Sequence, residues 1–234
     1  MSARGRVTRV GMLAPMQLEL APLVRLLALE ADDAVHRGRA GEVEVVAMLT
    51  NIGMTAGAQT ARRMLEQGVD WMMVVGIAGG VDHSLAIGDV IMPDVVLDRA
   101  SGNTYVPSGT GGLAARGTLS CGDDLITDPG KIAAMARDGV VAVDMETAAV
   151  AAVCEDAGCA WSVFRGISDF ADGGLVDDAI FKMTGPDGTA DRDALARFLE
   201  QHPERREVLA QLARDTALAT EAAAAAAIRA CATL

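Results

Sequence analysis

The run of residues 71–77 constrains the fold most, because no polar side chain interrupts it between Trp71 and Ile77. A strand of this composition is typical of a sheet covered on both faces, as the parallel sheets of α/β proteins are. The run continues directly into Ala78, Gly79 and Gly80. Because glycine carries no Cβ atom, a flat ligand or another backbone can approach this end of the strand closely.

Apolar runs and helical patterns alternate along the rest of the chain. Strands are predicted at residues 7–13, 43–50, 90–97, 139–143 and 161–167. Helices are predicted after the first strand, at residues 56–67, from Asp144 as a capping residue to about residue 157, and at residues 191–200 and 204–231. This order predicts an α/β fold in which helices flank a twisted, mostly parallel or mixed central sheet. Ligands of such sheets bind beyond the carboxyl ends of the strands.

The size and charge of the chain limit its architecture and its partners. A chain of 234 residues is long enough for one large α/β domain, and no change in composition marks a second. We therefore expect a single domain over residues 1–234, with an atypical carboxyl-terminal segment from about residue 173. The formal net charge of −12 opposes binding to nucleic acids or anionic membranes, which requires a basic surface. A small molecule is the expected ligand.

Cysteine spacing and the amino-terminal sequence predict the cellular compartment. The four cysteines form no CxxC pair and are expected to be reduced thiols. Prolines and polar residues interrupt the early apolar sequence before a signal-peptide core forms. No run reaches the ~18 uninterrupted apolar residues that a membrane span requires. We expect a soluble cytoplasmic protein that does not bind membranes.

Two acidic side chains follow predicted strands at positions suited to catalysis. Asp169 comes after the strand at residues 161–167, so it is expected at a sheet edge. Partial burial there would raise the pKa of its carboxyl group and let it act as an acid. Glu146 lies near the start of a predicted helix. Each also has a structural interpretation, since Ser168-Asp169 is a favoured capping pair and a glutamate at a helix start interacts favourably with the helix dipole.

Four motifs together resemble one protein family. They are VGIAGG at residues 75–80, IGDV at 87–90, VDMETAA at 143–149 and FRGISDFAD at 164–172. They are similar to the nucleoside phosphorylase and nucleosidase superfamily, and most closely to its methylthioadenosine/S-adenosylhomocysteine nucleosidase branch. The resemblance covers most of residues 7–171. It implies a phosphorylase-type α/β domain, a homodimer and a purine nucleoside as the ligand.

The resemblance also implies roles for individual residues. Glu146 would accept hydrogen bonds from both ribose hydroxyls and stabilise a cationic sugar, and Met145 would pack on the sugar face. Asp169 would donate a proton to N7 of the departing purine, and such assistance contributes roughly 10²- to 10⁴-fold to a rate. The base site would be lined by Ala78, Gly79, Leu125 and Ser168.

Water, rather than phosphate, is the expected attacking group. A phosphorylase needs arginines or a nest of donors to hold a multiply charged anion. No arginine lies between Gly11 and Leu23 or directly before Gly76, where related phosphorylases carry one. The resemblance places Glu19 where nucleosidases keep the carboxylate that orients or deprotonates water, although an exposed helix glutamate is the structural alternative. A purine nucleoside phosphorylase is the alternative enzyme.

An acid beside the leaving group and a base on the opposite sugar face repeat the arrangement of inverting glycosidases, which need no metal. Neither a metal nor a cofactor is therefore expected. His36, His83 and His202 are isolated, show no ligand spacing such as HxxxH, and are assigned to surface or loop positions.

Two departures from the family leave the substrate open. Leu125 stands where the family usually has an aromatic side chain that stacks on the base, and Phe170 is the candidate replacement. The segment 173–203 is longer than in the family and could be a lid, a dimer contact or a pocket wall. Methylthioadenosine or S-adenosylhomocysteine is the expected substrate, with aminofutalosine, adenosylhopane or a plain purine nucleoside as alternatives. A nucleoside-binding protein without turnover is the non-enzymatic alternative.

Overall fold

Eleven strands and seven helices are found in the residues that the computed structural model describes, 6–175 and 178–234. The strands are β1 (Arg9–Ala14), β2 (Glu30–Asp32), β3 (Val35–Ala40), β4 (Val43–Leu49), β5 (Trp71–Gly80), β6 (Val90–Ile91), β7 (Val95–Asp98), β8 (Thr104–Tyr105), β9 (Thr118–Cys121), β10 (Val140–Asp144) and β11 (Ala160–Phe170). The helices are α1 (Gln17–Leu27), α2 (Met54–Glu66), α3 (Pro129–Arg137), α4 (Thr147–Ala157), α5 (Asp178–Lys182), α6 (Arg192–Gln201) and α7 (Arg205–Cys231).

Strand β5 lies at the centre of one mixed sheet. The strands follow the order β2-β3-β4-β1-β5-β10-β9-β7-β8, while β11 pairs with β5 and β6 pairs with β11. β5 is parallel to β1 and β11, and it meets the antiparallel β10 at Gly79 and Gly80. The chain that leaves β10 therefore runs back alongside the carboxyl end of β5. This mixed sheet confirms the predicted α/β class.

Helices cover both faces of the sheet. Successive side chains of a strand point to opposite faces, so an apolar strand places side chains in the core on each side. Met72 and Val74 of β5 belong to a buried cluster that includes side chains of α2 and α4. Met73 and Val75 belong to a second cluster, formed with side chains of α1 and α7. The uninterrupted apolar character of β5 follows from this double burial.

Helix α7 approaches the sheet closely because small residues lie on both sides of the contact. Ala219, Ala223 and Ala227 are fully buried in α7. A Cβ atom on Gly166 of β11 would lie 2.3 Å from the carbonyl oxygen of Ala219, so only glycine fits there. The alanine-rich residues 222–227 thus belong to an ordinary packed helix, as predicted for residues 204–231. No helix in the described parts of the chain, α7 included, is long and apolar enough to cross a membrane.

Several predicted boundaries were wrong. The strand predicted at residues 90–97 is interrupted around Pro93, which has no N–H group to donate, and becomes β6 and β7. Asp144 is the last residue of β10 and does not cap α4; Glu146 occupies the N-cap position, without a capping side-chain hydrogen bond. Strand β11 continues through Asp169, which lies within the strand rather than beyond it.

Candidate active site

A cavity of about 280 Å³ lies where β5, β10 and β11 end beside the start of α1. Its volume is close to the lower end of the ~300–1,000 Å³ range of small-molecule pockets. Glu19, Glu146 and Asp169 all line it. The structure thus brings together three carboxyl groups that lie far apart in the sequence.

Glu19 belongs to the first turn of α1, yet its side chain is buried. Its Oε1 accepts a hydrogen bond from the backbone N–H of Ile77 and its Oε2 accepts one from that of Met16, both at 2.7 Å. Burial raises the pKa of Glu19 to about 8, against the opposing effect of the Arg165 guanidinium. The structural alternative of an exposed helix glutamate is therefore wrong.

Glu146 is held at the junction of β10 and α4 by two donors. The backbone N–H of Gly53 donates to its Oε1, and Arg165 Nη2 donates to its Oε2, both at 3.0 Å. Burial raises the pKa of Glu146 to about 7. An ionised carboxylate has about four lone-pair sites, so these two bonds leave acceptor capacity for a ligand.

Arg165 is the buried cation that links the acidic groups. Its Nε and Nη2 both donate to Asp144 Oδ2, at 2.9 and 2.6 Å, and its Nη1 lies 3.6 Å from Glu19 Oε1. One guanidinium therefore faces three carboxyl groups, those of Glu19, Asp144 and Glu146. Because like charges buried together disfavour full ionisation, this cluster favours a proton on Glu19 or Glu146. Sequence reasoning missed this role of Arg165. An arginine at this position fits a nucleosidase and a phosphorylase equally well, so it did not help to choose between hydrolysis and phosphorolysis.

Gly76 allows the Glu19–Arg165 pair to lie against β5. A Cβ atom at Gly76 would lie 2.1 Å from Glu19 Oε1 and 2.6 Å from Arg165 Nη1. Any side chain there would displace one of the two charged groups. The need for glycine at residue 76 therefore comes from the acidic cluster, whereas the sequence suggested only a close approach by a ligand.

Asp169 is carried by an irregularity in β11. The register between β11 and β5 shifts between Ile167 and Asp169, which places Asp169 opposite Gly79. The Ser168 hydroxyl donates to Asp169 Oδ1 at 2.6 Å. Burial nevertheless raises the pKa of the Asp169 carboxyl above its usual range, because this hydrogen bond only partly offsets the loss of solvent. A group that keeps its proton beside a cavity is suited to donate it.

The predicted ligand-contacting residues also reach the cavity. Its lining includes Ala78, Gly79, Leu125, Met145 and Ser168. The Arg99 guanidinium donates to the backbone carbonyls of Ser120, Gly122 and Asp124. These three hydrogen bonds fix the loop that presents Leu125. Sequence reasoning gave no indication of this role for Arg99, because its partners are backbone atoms.

Phe170 does not replace the missing aromatic ring. Its ring stacks on that of His83 with 4.7 Å between centroids, and it is not part of the cavity lining. Phe181 of α5 lines the cavity instead. The proposed substitution by Phe170 is therefore wrong, because the end of β11 directs that ring away from the ligand site.

The long segment at residues 173–203 supplies part of the cavity wall. Ile180, Phe181 and Thr184 line the cavity, as does Gly188. The turn around Gly188 is held by two backbone hydrogen bonds, from Gln17 N–H to the Asp187 carbonyl at 2.9 Å and from Ile52 N–H to the Pro186 carbonyl at 2.7 Å. Of the roles considered for this segment, that of a pocket wall fits these contacts; Val176 and Asp177 lie outside the described residues.

Charge in the cavity is predominantly acidic. Beside Glu19, Glu146 and Asp169, the lining includes Asp124 and Asp144. Among the lining residues that the structure describes, Arg99 is the one with a cationic side chain, and backbone carbonyls already engage it. A multiply charged anion would lack the converging cations that it requires here.

The side chains that commonly bind metals are dispersed. His83 Nε2 lies 2.9 Å from Asp172 and His202 Nδ1 lies 3.4 Å from Glu204, both near the surface. His36 lies within β3 rather than in a loop, and it is half-buried. The four cysteines are free thiols. Within residues 6–175 and 178–234, no three His, Cys, Asp or Glu side chains are grouped to hold a metal ion.

Comparison with known proteins gives matches along most of the chain. The model of the phosphorylase superfamily matches residues 9–115 and 109–219. A 5′-methylthioadenosine/S-adenosylhomocysteine nucleosidase from Marinomonas sp. (strain MWYL1) is 29% identical over 165 residues, which are 57% of this chain and 71% of the relative. The enzyme of the same name from Bacillus thuringiensis (strain Al Hakam) is 29% identical over 167 residues, covering 58% and 72% of the two chains.

Solved structures share the fold at lower identity. The 5′-methylthioadenosine/S-adenosylhomocysteine nucleosidase of S. pneumoniae, bound to a transition-state inhibitor, aligns with a TM-score of 0.74 and 20% identity over 97% of this chain and 99% of the other. Futalosine hydrolase of Helicobacter pylori aligns with a TM-score of 0.73 and 18% identity over 95% and 97% of the two chains.

Proposed function

The chain belongs to the phosphorylase superfamily, and from this membership we propose that it is a nucleosidase, which hydrolyses the N-glycosidic bond of an adenine nucleoside modified at its 5′ position. The products are free adenine and the corresponding ribose derivative. The observation that carries this proposal is the group of three carboxyls around one acidic cavity, with Glu19 and Glu146 buried and Asp169 half-buried.

Asp169 is the proposed general acid. Breaking the glycosidic bond leaves negative charge on the purine, and protonation at N7 removes it. Burial keeps a proton on Asp169 at higher pH than on an exposed aspartate. Its place over Gly79, at the end of β5, lets the flat base lie against backbone without meeting a Cβ atom.

Glu19 is the proposed base for the attacking water. A base works best when its pKa lies near the working pH, and burial brings the pKa of Glu19 to about 8. The hydrogen bonds from Met16 and Ile77 hold both carboxylate oxygens in place. As Glu19 takes a proton from water, the hydroxide equivalent attacks the anomeric carbon, and the electrons of the glycosidic bond leave with the protonated purine.

Glu146 is the proposed ligand of the ribose hydroxyls. Gly53 and Arg165 fix its two oxygens and leave lone pairs for the sugar. In its ionised form it also stabilises the positive charge that develops on the ribose ring. Met145 and Leu125 complete the contacts to sugar and base from the loops after β10 and β9.

The proposed substrate is methylthioadenosine or S-adenosylhomocysteine, because the curated relatives carry these names at 29% identity. Aminofutalosine, adenosylhopane and unmodified purine nucleosides are the alternatives to be assayed beside them. We further propose, from the family resemblance, a cytoplasmic homodimer. The free thiols fit a reducing compartment, and light scattering after gel filtration tests the dimer.

One assay distinguishes hydrolysis from phosphorolysis and from nucleoside binding without turnover. The protein is incubated with adenine, hypoxanthine and 5′-modified nucleosides, with and without phosphate, and free base and ribose 1-phosphate are measured. Hydrolysis should proceed equally in both buffers and yield no ribose 1-phosphate. A requirement for phosphate would overturn the assignment of water as nucleophile, while binding without release of base would show a nucleoside-binding protein.

A further inference from the structure

Asp144, the last residue of β10, is a buried acid to which the proposed reaction gives no role. It lies two residues before Glu146 and lines the same cavity. Its Oδ2 atom accepts three hydrogen bonds, two from Arg165 and one from the Thr147 hydroxyl. A buried carboxylate with three donors on one oxygen has a fixed position, so it can fix the position of its partners in turn.

The Arg165 guanidinium is oriented by Asp144. Its Nε and Nη2 atoms both donate to Asp144 Oδ2, at 2.9 and 2.6 Å. Because the guanidinium is planar and rigid, fixing two of its nitrogens also fixes the direction of the third. In this orientation Nη2 also donates to Glu146 Oε2 at 3.0 Å, and Nη1 lies 3.6 Å from Glu19 Oε1. The position of Asp144 thus determines how the cation faces the two acids assigned to sugar binding and to activation of water.

The other groups around this ion pair do not supply the same orientation. The charged and titratable groups that surround Asp144 and Arg165 are Glu19 of α1, Glu146 at the N-cap of α4 and the Cys121 thiol of β9. The two glutamates meet the terminal nitrogens of the guanidinium, whereas its Nε donates to Asp144. The side chain of Arg165 is fully buried, so solvent cannot replace a lost partner.

Charge balance alone does not explain a third acid beside one cation. Glu19 and Glu146 already place two carboxyl groups next to Arg165. Asp144 Oδ2 and Glu146 Oε2 lie 2.6 and 3.0 Å from the same nitrogen, so these oxygens are at most about 5.6 Å apart. Like charges at such a separation inside a protein repel each other. A third buried carboxylate is therefore costly for folding, and its geometry points to a role in the site.

We propose that Asp144 is a positioning residue, which holds the Arg165 guanidinium in the orientation that contacts Glu146 and Glu19 together. This inference rests on the proposed nucleosidase function and deepens it, because Asp144 acts through Arg165 rather than on the substrate. Removing the charge of Asp144 leaves the same cation to compensate fewer acids. Glu19 and Glu146 should then lose their protons at lower pH.

Asp144→Asn tests the proposal, because asparagine has nearly the same shape and keeps an oxygen acceptor but carries no charge. With methylthioadenosine as the substrate, kcat/KM at pH 8 should fall at least about tenfold as the guanidinium loses its orientation. The acidic limb of the pH profile should move to lower pH by roughly one unit or more. A purely structural role would not move this limb. An unchanged limb or a wild-type kcat/KM would overturn the proposal.

Two further variants separate charge from hydrogen bonding. Thr147→Val removes a neutral hydrogen bond to the same Oδ2 atom and leaves every charge in place, so its acidic limb should stay within about 0.3 pH unit of wild type. Asp144→Glu keeps a carboxylate and should retain more kcat/KM than Asp144→Asn, again without a shift of the limb. An equal shift in Thr147→Val, or no advantage of glutamate over asparagine, would overturn the proposal.

A variant that does not fold is also informative. If circular dichroism shows that Asp144→Asn is unfolded, Asp144→Ser removes the same charge with a smaller side chain and is measured instead, with the same expected shift of the limb. Failure of both variants to fold would overturn the proposal, because Asp144 would then be required for the fold rather than for the orientation of Arg165.

Urea unfolding distinguishes failure of this proposal from failure of the proposed function, because it needs no substrate. The raised pKa values of Glu19 and Glu146 make the free energy of unfolding decrease as pH rises from 5 to 8, and this decrease should be shallower in Asp144→Asn. If no nucleoside is hydrolysed but the slope changes, the function fails and the effect of Asp144 on the two acids stands. If nucleosides are hydrolysed but slope and limb are unchanged, the function stands and this proposal fails.

Discussion

At the scale of single residues, the site depends on carboxyl groups that differ in environment. Asp169 lies over glycine backbone with a serine hydroxyl as its partner, whereas Glu19 and Glu146 share the Arg165 guanidinium. The first environment favours a proton donor. The second lets a cation compensate whichever carboxylate has lost its proton.

Asp169→Asn should reduce release of adenine by roughly 10²- to 10⁴-fold, because asparagine cannot donate a proton to N7. The thermal midpoint should change little, since the amide can keep the Ser168 contact. A ribonucleoside analogue with a nitrophenol leaving group, which needs no protonation, provides the control and should still be hydrolysed. Full activity of Asp169→Asn toward adenosine derivatives would remove Asp169 as the acid.

The pH dependence of kcat/KM should show an acidic limb between about pH 7 and 8. Below this range Glu146 and Glu19, whose pKa values burial raises to about 7 and about 8, hold protons and cannot serve as sugar ligand and base. Activity should therefore rise with pH through this window. Steady-state rates from pH 5 to 10 test the profile; a level plateau from pH 5 to 8 would contradict it.

Gly76→Ala should lower kcat/KM at least about tenfold and destabilise the fold by ~1–3 kcal/mol, because the new methyl group overlaps Glu19 and Arg165. Rates and urea unfolding measure the two effects. Gly109→Ala is the matched control, since no atom lies within 4 Å of a Cβ atom there. If both variants behave as wild type, the close contact at residue 76 affects neither stability nor activity.

At the scale of elements, α7 serves both the core and the ligand site. Its carboxyl-terminal half packs on β11 and β5 through buried alanines, while Leu212 and Thr216 nearer its amino end line the cavity. The depth at which the helix packs on the sheet therefore also sets the position of the cavity wall.

Gly166→Ala should destabilise the protein by ~1–3 kcal/mol or more, because the Ala219 carbonyl lies 2.3 Å from the added methyl position and is backbone that cannot rotate away. Helix α7 would have to move outward as a unit. We also expect a raised KM, since Leu212 and Thr216 would move with it. Urea unfolding and KM measurements check both effects. Wild-type values for both would show that α7 can move without a change in stability or in KM.

At the scale of the whole molecule, the buried acids couple protonation to folding. The carboxyls of Glu19 and Glu146 have raised pKa values in the folded state, about 8 and about 7, against a usual value of 4.5. The folded state therefore binds more protons than the unfolded state between these values, and its stability falls as pH rises.

The free energy of unfolding should accordingly decrease from pH 5 to 8, and Glu19→Gln should show a shallower decrease. Each unit of pKa shift that is realised corresponds to ~1.4 kcal/mol. Urea titrations at several pH values measure the slope. A wild-type protein whose stability increases over this range, or equal slopes in the two proteins, would contradict the raised pKa of Glu19.

The elements that could be predicted from the sequence are those whose patterns are local. The apolar run of β5, the helical periodicity of α2 and α7 and the motifs around Glu146 and Asp169 were sufficient to predict the α/β class and the family. Strands β2 and β3 were missed because their residues are mostly exposed or half-buried and show no apolar alternation. Strand β9 was also missed, because it has only four residues between two glycines.

The sharing of one cation by several acids could not be predicted from local patterns, because it depends on how distant segments pack. Arg165 meets Asp144, Glu146 and Glu19 because β10 returns antiparallel to β5 while α1 begins beside it. The cavity wall formed by residues 180–188 and the position of Phe170 outside the ligand site likewise arise from packing between segments distant in sequence. Local patterns encode backbone preference and burial, whereas pKa values and cavity shape depend on which distant groups become neighbours.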